Sequence, residues 1–282
     1  LISIIVVSYN SGEDLQELFD SINKQTYKKI ELILVENGTE KTDSYLKELD
    51  IPTKYVTSEN NGFAAANNLA FEHSNGDYIC LVNPDTVLKE NVIEQLLLNL
   101  KLDQKTVVSV PKIVFYKKFF DIEITSNMQF NIDTNSLVNS LNYKKYFIRR
   151  GNKIINENQF AIFSDNKRIL LSLPIDQSNI SLKIRKAVIN QTFAYRINDF
   201  KLKDDSIIQE SNKKDFFELK IDASNNNLII KGKNIINNAG SGLKNKSPYD
   251  RGFGEYDLGH FNNSEYIDAF CGCVAMISPK VF

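Results

Sequence analysis

The sequence predicts an α/β protein: a mostly parallel sheet flanked by helices, carrying an inserted antiparallel β-sandwich-like module. Three observations predict it. Over roughly the first 115 residues, β-branched apolar runs alternate with stretches of helical period, the pattern of strands buried on both faces and joined by helices. From about Phe119 to Ile236 the texture changes to short alternating segments broken by Asn, Asp, Ser and Lys turns, which reads as antiparallel strands. After about Asn237 a glycine-rich loop leads into the apolar stretch Ala269 to Ile277, read as a buried strand or helix start that rejoins the first part. The expected organisation is therefore residues 1–118, an insertion over 119–236, and a return over 237–282, since inserting at a surface loop adds little closure entropy.

The elements follow in order. Ile2 to Ser8, Ile30 to Glu36, Lys54 to Thr57, Tyr78 to Val82 and Val107 to Val110 are the strand candidates. Ser11 is placed to cap a helix whose apolar face is Leu15, Leu18, Phe19 and Ile22, at i, i+3, i+4 and i+7. A second helix is expected from about Lys41 to Leu49, a third from Phe63 to about His73 before the Asn75-Gly76 stop, and a fourth from about Glu90 to Leu100. In the insertion, Gln159 to Ser164, Arg168 to Leu173 and Phe216 to Ile221 read as strands. Ser164-Asp165-Asn166-Lys167 and Ser224-Asn225-Asn226-Asn227 read as hairpin turns.

Composition narrows the function classes. With 34 Lys and Arg against 35 Asp and Glu, no net field favours nucleic acid or an anionic membrane. Apolar runs such as Ile2 to Val7 are far short of the roughly 20 residues that cross a bilayer, so no transmembrane segment is expected. The chain opens directly on a strand-like run, and no export leader is expected either. Cys80, Cys271 and Cys273 sit in apolar surroundings and are odd in number, which suits thiols of a reducing compartment. A cytoplasmic protein, free or peripheral on the inner face of the membrane, is the expectation.

Ligands of open α/β sheets sit beyond the C-terminal ends of the strands. Four successive strand ends here carry donors, acceptors or carboxylates: Ser8-Tyr9-Asn10, Glu36-Asn37-Gly38, Glu59-Asn60-Asn61-Gly62-Phe63 and Asn83-Pro84-Asp85-Thr86. Each alone is an ordinary turn or cap; their order and spacing together are the signal. These segments, with Ser21 to Tyr27, Asn61 to Asn68, Gly76-Asp77-Tyr78, Asn238-Ala239-Gly240 and Cys271 to Ile277, resemble the family 2 glycosyltransferases of the GT-A (Rossmann-like) fold. The branch resembled includes rhamnosyltransferases of bacterial cell-surface polysaccharide synthesis. The resemblance covers both ends of the chain and omits the middle.

It implies an inverting transferase that moves a sugar from a nucleoside-diphosphate-sugar donor to a saccharide or lipid-linked saccharide acceptor. The leaving diphosphate carries charge that a divalent cation, Mg²⁺ or Mn²⁺, neutralises as a Lewis acid, and Asp85 is the implied metal ligand. The family's motif is often two acids one residue apart; here Asn83 holds the first position, leaving Asp85 alone. The other reading is a plain turn with Asp85 capping the next helix. Glu36 stands where the family places an acid that accepts hydrogen bonds from base or ribose, with a solvated strand-end charge as the alternative. Ser8, Tyr9, Asn10, Asn37, Asn60, Gly62, Phe63, Asn68 and Asn83 complete the implied donor site. Tyr9 offers an aromatic wall, Gly62 close backbone approach and Asn68 an amide. The implied general base lies in a Glu-Asp type motif beyond Phe282, so none is nominated within these residues, and Asp257 and Asp268 read as loop or acceptor-side acids.

Other chemistries recede. The two histidines, His73 and His260, pair with no nucleophile at motif spacing, and Cys271-Gly272-Cys273 is half of a zinc motif. Gly240-Ser241-Gly242 reads as a flexible loop. Tyr249 to Glu255 reads as a lid whose Arg251 either meets a diphosphate or stays solvated. The alternative function is a carbohydrate-binding or assembly protein using the β module, with Phe130, Tyr146, Phe160, Phe193 and Tyr195 as stacking platforms or as core. A nucleotidyltransferase would need a basic phosphate loop after the first strand, and Ser8 to Glu13 has no basic residue.

Overall fold

The computed structural model describes residues 1–133, 135, 146–156, 159–174, 179–186, 191–197, 216–222 and 232–281. The elements run β1 (Ile2–Ser8), α1 (Gly12–Asn23), β2 (Ile30–Glu36), β3 (Thr53–Thr57), α2 (Phe63–Glu72), β4 (Tyr78–Val82), α3 (Val92–Leu102), β5 (Val108–Ser109) and β6 (Ile113–Val114). Then come β7 (Phe119–Ser126), β8 (Asn131–Asp133), β9 (Phe147–Arg150), β10 (Asn152–Asn156), β11 (Gln159–Phe163), β12 (Arg168–Pro174), β13 (Asn179–Arg185), β14 (Phe193–Ile197) and β15 (Phe216–Asp222). Last are β16 (Ile236–Asn238), β17 (Ser241–Lys244), β18 (Ser247–Asp250) and β19 (Val274–Ile277). The chain divides into two compact units: Leu1–Ile113 with Asn237–Phe253 and Gly259–Phe282, and Val114–Ile236 with Gly254–Leu258.

The first unit is built on a sheet of order β3-β2-β1-β4-β19-β5. β1, β2, β3 and β4 are parallel, while β19 runs antiparallel to β4 and β5. Every residue of β1 and β2 is buried, as expected of parallel strands covered on both faces. The pleat sorts their side chains. Ile2, Ile4 and Val6 pack with Leu15, Leu18, Phe19 and Ile22 of α1 and with Ile93, Leu96, Leu97 and Leu100 of α3. Ile5 and Val7 pack with Ala66 and Ala70 of α2 on the opposite face. The apolar stretch after Ala269 is thus the strand β19, and the helix alternative falls away.

Local expectations changed in three places. The helix expected from Lys41 to Leu49 is a 3₁₀ turn, Asp43–Glu48. Ser11 occupies the cap position of α1, but its hydroxyl donates to the Tyr9 carbonyl (3.3 Å) and caps nothing. Glu40 does that work, accepting from the Gly12 N–H at 3.0 Å. Gly240-Ser241-Gly242, expected as flexible loop, leads into the hairpin of β17 and β18, closed by Asn245 and Lys246 at φ 51° and 66°.

The second unit contains two antiparallel sheets, β10-β11-β8-β13-β15 and β14-β7-β12-β9. Phe120, Ile122 and Ile124 of β7 and Ile169, Leu171 and Leu173 of β12 meet Ile132, Ile162, Leu182 and Ile184 of the other sheet in one core, as in a sandwich. Phe130 belongs to that core, with Tyr146, Phe193 and Tyr195 packed against it, so these rings serve packing. The Phe160 side chain and the expected turn at 224–227 lie outside the described residues. The other expected hairpin is a two-residue turn: Asn166 and Lys167 have φ 48° and 61° between Asp165 and Arg168, which exchange backbone hydrogen bonds. It joins strands of different sheets, however, so it turns a corner of the sandwich. Residues 254–258 also pair with this unit, through Gly254 N–H to the Ile236 carbonyl (2.9 Å) and Asp257 N–H to the Asn234 carbonyl (2.9 Å).

Candidate functional site

Parallel register gathers the strand ends at one edge. Ser8 and Glu36 are register partners, Thr57 lies opposite Glu36, and β4 ends at Val82 beside β1. Because β19 is antiparallel, its start arrives at the same edge: the Asn83 N–H donates to the Cys273 carbonyl (2.8 Å), and Thr86 Oγ1 lies 3.3 Å from Cys273 Sγ. A Cβ at Gly272 would lie 3.9 Å from the ring of Phe63 at the start of α2. Cys271 to Cys273, set aside in the sequence as half a zinc motif, therefore lines the edge that carries Asp85. Only the antiparallel return of β19 brings it there.

The loops after β1 and β2 are tied into one body. The Glu36 carboxylate, 2 % exposed, accepts from the Asn10 N–H (3.2 Å) and Gly38 N–H (2.8 Å) on one oxygen and from the Thr42 hydroxyl (2.9 Å) on the other. Asn10, at φ 53°, accepts from the Thr39 and Glu40 N–H groups at 2.9 and 3.0 Å. Gly38 is required here, since a Cβ would stand 2.8 Å from the Asn10 backbone nitrogen. Glu36 is not a solvated strand-end charge; it is buried, and three of its hydrogen bonds hold the loops together. The Ser8 carbonyl is likewise engaged, accepting from the Asn37 N–H at 2.9 Å.

What remains open at this edge differs from the expectation. Asn37 is 7 % exposed, and its side-chain oxygen finds no hydrogen-bond partner among the described residues. A buried acceptor left unpaired costs about 1–3 kcal/mol, in contrast to the neighbouring Glu36, whose carboxylate is anchored by three hydrogen bonds. Tyr9 and Phe63 expose 58 % and 50 % of their surface. Asn60 accepts from the Gly62 N–H (3.2 Å), and Gly62, at φ 92°, gives α2 an open N-terminus with nothing within 4 Å of its missing side chain. Asn68 is exposed in the second turn of α2, and Asn83 is half-buried.

Asp85 is exposed in the turn after β4 and does not cap α3, whose cap position is Asn91. Its charge reaches Asp14 of α1: burial first, then Asp85, raise the Asp14 carboxyl above its usual range. Burial also raises the Cys273 thiol, against the lowering effect of Thr86. The segment holding Asp85 is braced by Gln25, 1 % exposed, whose amide donates to the Ser21 and Lys89 carbonyls (3.0 and 2.9 Å) and accepts from the Ile93 N–H (3.2 Å). The sequence assigns no role to Gln25, Glu40 or Thr42, since no local pattern records which backbone groups Gln25 and Glu40 reach 64 and 28 residues away or that Thr42 turns back onto Glu36. Arg251 meets neither open water nor a strand end: it pairs with Glu265 and lies 5.3 Å from the Phe261 ring. Asp268 accepts from the Leu243 N–H (3.3 Å). A cleft of about 1040 Å³ opens elsewhere in this unit, between α3, residues 103–112 and residues 261–270, and none of the polar residues that directly follow β1, β2, β3 and β4 lines it.

Comparison with known proteins gives a consistent family. The model of glycosyl transferase family 2 matches residues 3–167. Glycosyltransferase GlyG of Streptococcus pneumoniae is 40 % identical over 102 residues, which are 34 % of this chain and 34 % of that protein. The uncharacterized glycosyltransferase EpsJ of Bacillus subtilis is 31 % identical over 126 residues, 43 % of this chain and 36 % of that one. The chain thus spans about a third of the length of these relatives. Among solved structures, a mannosyltransferase of Pyrobaculum calidifontis in complex with GDP-Man and Mn²⁺ aligns with TM-score 0.37 and 24 % identity over 40 % of this chain and 35 % of that chain. Staphylococcus aureus TarS 1–349 with UDP-GlcNAc aligns with TM-score 0.34 and 20 % identity over 42 % of this chain and 39 % of that one.

Proposed function

The chain belongs to glycosyl transferase family 2, and from that membership we propose that it binds a nucleoside-diphosphate sugar at the shared edge of β1, β2 and β4. The sugar passes to a saccharide or lipid-linked saccharide acceptor, with inversion, in cell-surface polysaccharide synthesis at the inner face of the membrane. No helix among the described residues is long and apolar enough to cross a membrane. The observation that carries the donor reading is the contrast at adjacent positions: Glu36 held by three hydrogen bonds from the protein, Asn37 buried with an acceptor unpaired among the described residues.

In this reading Asn37 accepts an N–H of the base, Tyr9 walls its face, and Glu36 with Asn10 fixes both loops before the ligand arrives, which lowers the ordering cost of binding. Asp85 suits a hard cation shared with a diphosphate, because such a cation takes few protein oxygens and draws the rest from phosphate and water. When bound, the cation would neutralise charge on the departing diphosphate. The open start of α2, with Gly62 and Phe63, lies beside Gly272 to receive the sugar or diphosphate.

Calorimetric titration with UDP, GDP and dTDP, each with and without Mn²⁺, tests the proposal. One nucleotide should bind, Mn²⁺ should tighten it, and Asp85→Ala should abolish the metal-dependent part alone. Absence of binding by all three overturns the donor site; metal dependence that survives Asp85→Ala overturns the role of Asp85.

A further inference from the structure

The cleft beside β5 shares no residue with the donor site, and its chemistry is of a different kind. Its volume of about 1040 Å³ reaches the upper end of the roughly 300–1,000 Å³ typical of small-molecule sites, room for more than one sugar ring. Three of its charges are already engaged, while the exposed Lys105 ammonium makes no hydrogen bond or ion pair among the described residues. Asp103 accepts from the Lys105 N–H (3.0 Å), the Thr106 hydroxyl (2.7 Å) and the Tyr266 hydroxyl. Lys112 donates to Asn262 (2.6 Å), and Glu265 is paired with Arg251. An ionic ligand would find no uncompensated partner among Asp103, Lys112 and Glu265.

Three of its amides are not used. The side chains of Asn91, Gln95 and Asn263 line the cleft and make no hydrogen bond among the described residues. Tyr266 lines the same cleft, 75 % exposed yet held by its hydroxyl to Asp103, with Phe270 at 40 % exposed. An exposed ring normally samples several rotamers; a ring pinned at its far end presents one face at small entropic cost. The bonds from Tyr266 and Thr106 keep the Asp103 carboxyl down at about 2, so the pin holds throughout the neutral range.

A pinned aromatic face and free amides lining one cleft, with Asp103, Lys112 and Glu265 already engaged, match a ligand that has apolar C–H faces and a rim of neutral hydroxyls. We propose that this cleft is a binding groove for a neutral oligosaccharide. Calling that glycan the acceptor rests on the transferase reading above; the binding does not.

Titration of the chain with neutral hexasaccharides of glucose, mannose, rhamnose and N-acetylglucosamine tests it. At least one should bind, and Tyr266→Ala and Gln95→Ala should each weaken it about tenfold, the loss expected of a central contact. Tyr266→Phe, which keeps the ring but loses its bond to Asp103, should weaken binding measurably but less than Tyr266→Ala. Both positions are exposed, so an unchanged circular dichroism spectrum is expected and separates loss of binding from loss of fold. If none of the four binds, or if the double variant binds as well as the parent, the groove is refuted. Hexasaccharide binding sensitive to Tyr266→Ala, in a chain with no affinity for UDP, GDP or dTDP, upholds the groove and overturns the donor site.

Discussion

Glu36 and Asn37 are adjacent in sequence and opposite in circumstance, so replacing each with alanine should separate fold from binding. Removing the Glu36 carboxylate strands the Asn10 and Gly38 N–H groups and the wholly buried Thr42 hydroxyl. At about 1–3 kcal/mol for each stranded group, with some relaxation of the loops, Glu36→Ala should cost about 3–5 kcal/mol. That corresponds to a fall of roughly 1–2 M in the urea midpoint for an m-value of about 2–3 kcal/mol/M. The two compact units need not unfold together, so hydrogen exchange on the amides of β1 and β2 is the assay that assigns the loss to the first. Asn37→Ala removes a buried acceptor unpaired among the described residues, so stability should hold or rise, by at most about 1–3 kcal/mol. Nucleotide affinity should then fall about tenfold, one hydrogen bond's worth. If Glu36→Ala leaves exchange protection intact and abolishes nucleotide binding, the carboxylate faces the ligand and the reasoning is wrong.

Four further outcomes are expected. Burial raises the Glu31 carboxyl, but the bonds from Ser3 and Asn75 outweigh it and leave the group below its usual range; a depressed acid stabilises above its unfolded value and loses that contribution as pH falls through its folded one. Glu31→Gln should therefore flatten the loss of stability with falling pH below about 4.5 in an acid-unfolding series. Asp85→Asn removes one of the charges that raise Asp14, so NMR titration of Asp14 should move toward the usual carboxylate value, and an unmoved Asp14 would mean burial acts alone. Burial pushes the Cys80 thiol up to about 12, and with iodoacetamide it should label only on unfolding, while Cys271 and then Cys273 label in the folded chain by mass spectrometry. Gly38→Ala drives a Cβ into Asn10 and should cost about 1–3 kcal/mol by thermal melting, with unchanged melting showing that the loop yields freely.

Much of the first unit was legible residue by residue. Strands β1, β2 and β4 lie where the β-branched runs placed them, because a strand buried on both faces needs an unbroken apolar run and little else does. The α1 face of Leu15, Leu18, Phe19 and Ile22 was readable for the same reason, since side chains three and four apart must share a side. The helix expected over 41–49 shortened to a 3₁₀ turn, and the Asp165 to Arg168 turn crosses between sheets. In both places the outcome depends on what the segment packs against, which no local period records.

The sequence by itself determined that polar strand ends would meet at one edge of a parallel sheet, since chain direction and register leave them no other place. Which of those groups is free for a ligand was decided only by the tertiary structure. A carboxylate and an amide one residue apart, Glu36 and Asn37, have equal claims as letters. They part company because the chain folds back through Gly38 to bring Asn10 and Thr42 onto one of them, and a hydrogen-bond acceptor can be known as spent or open only when its neighbours in space are known.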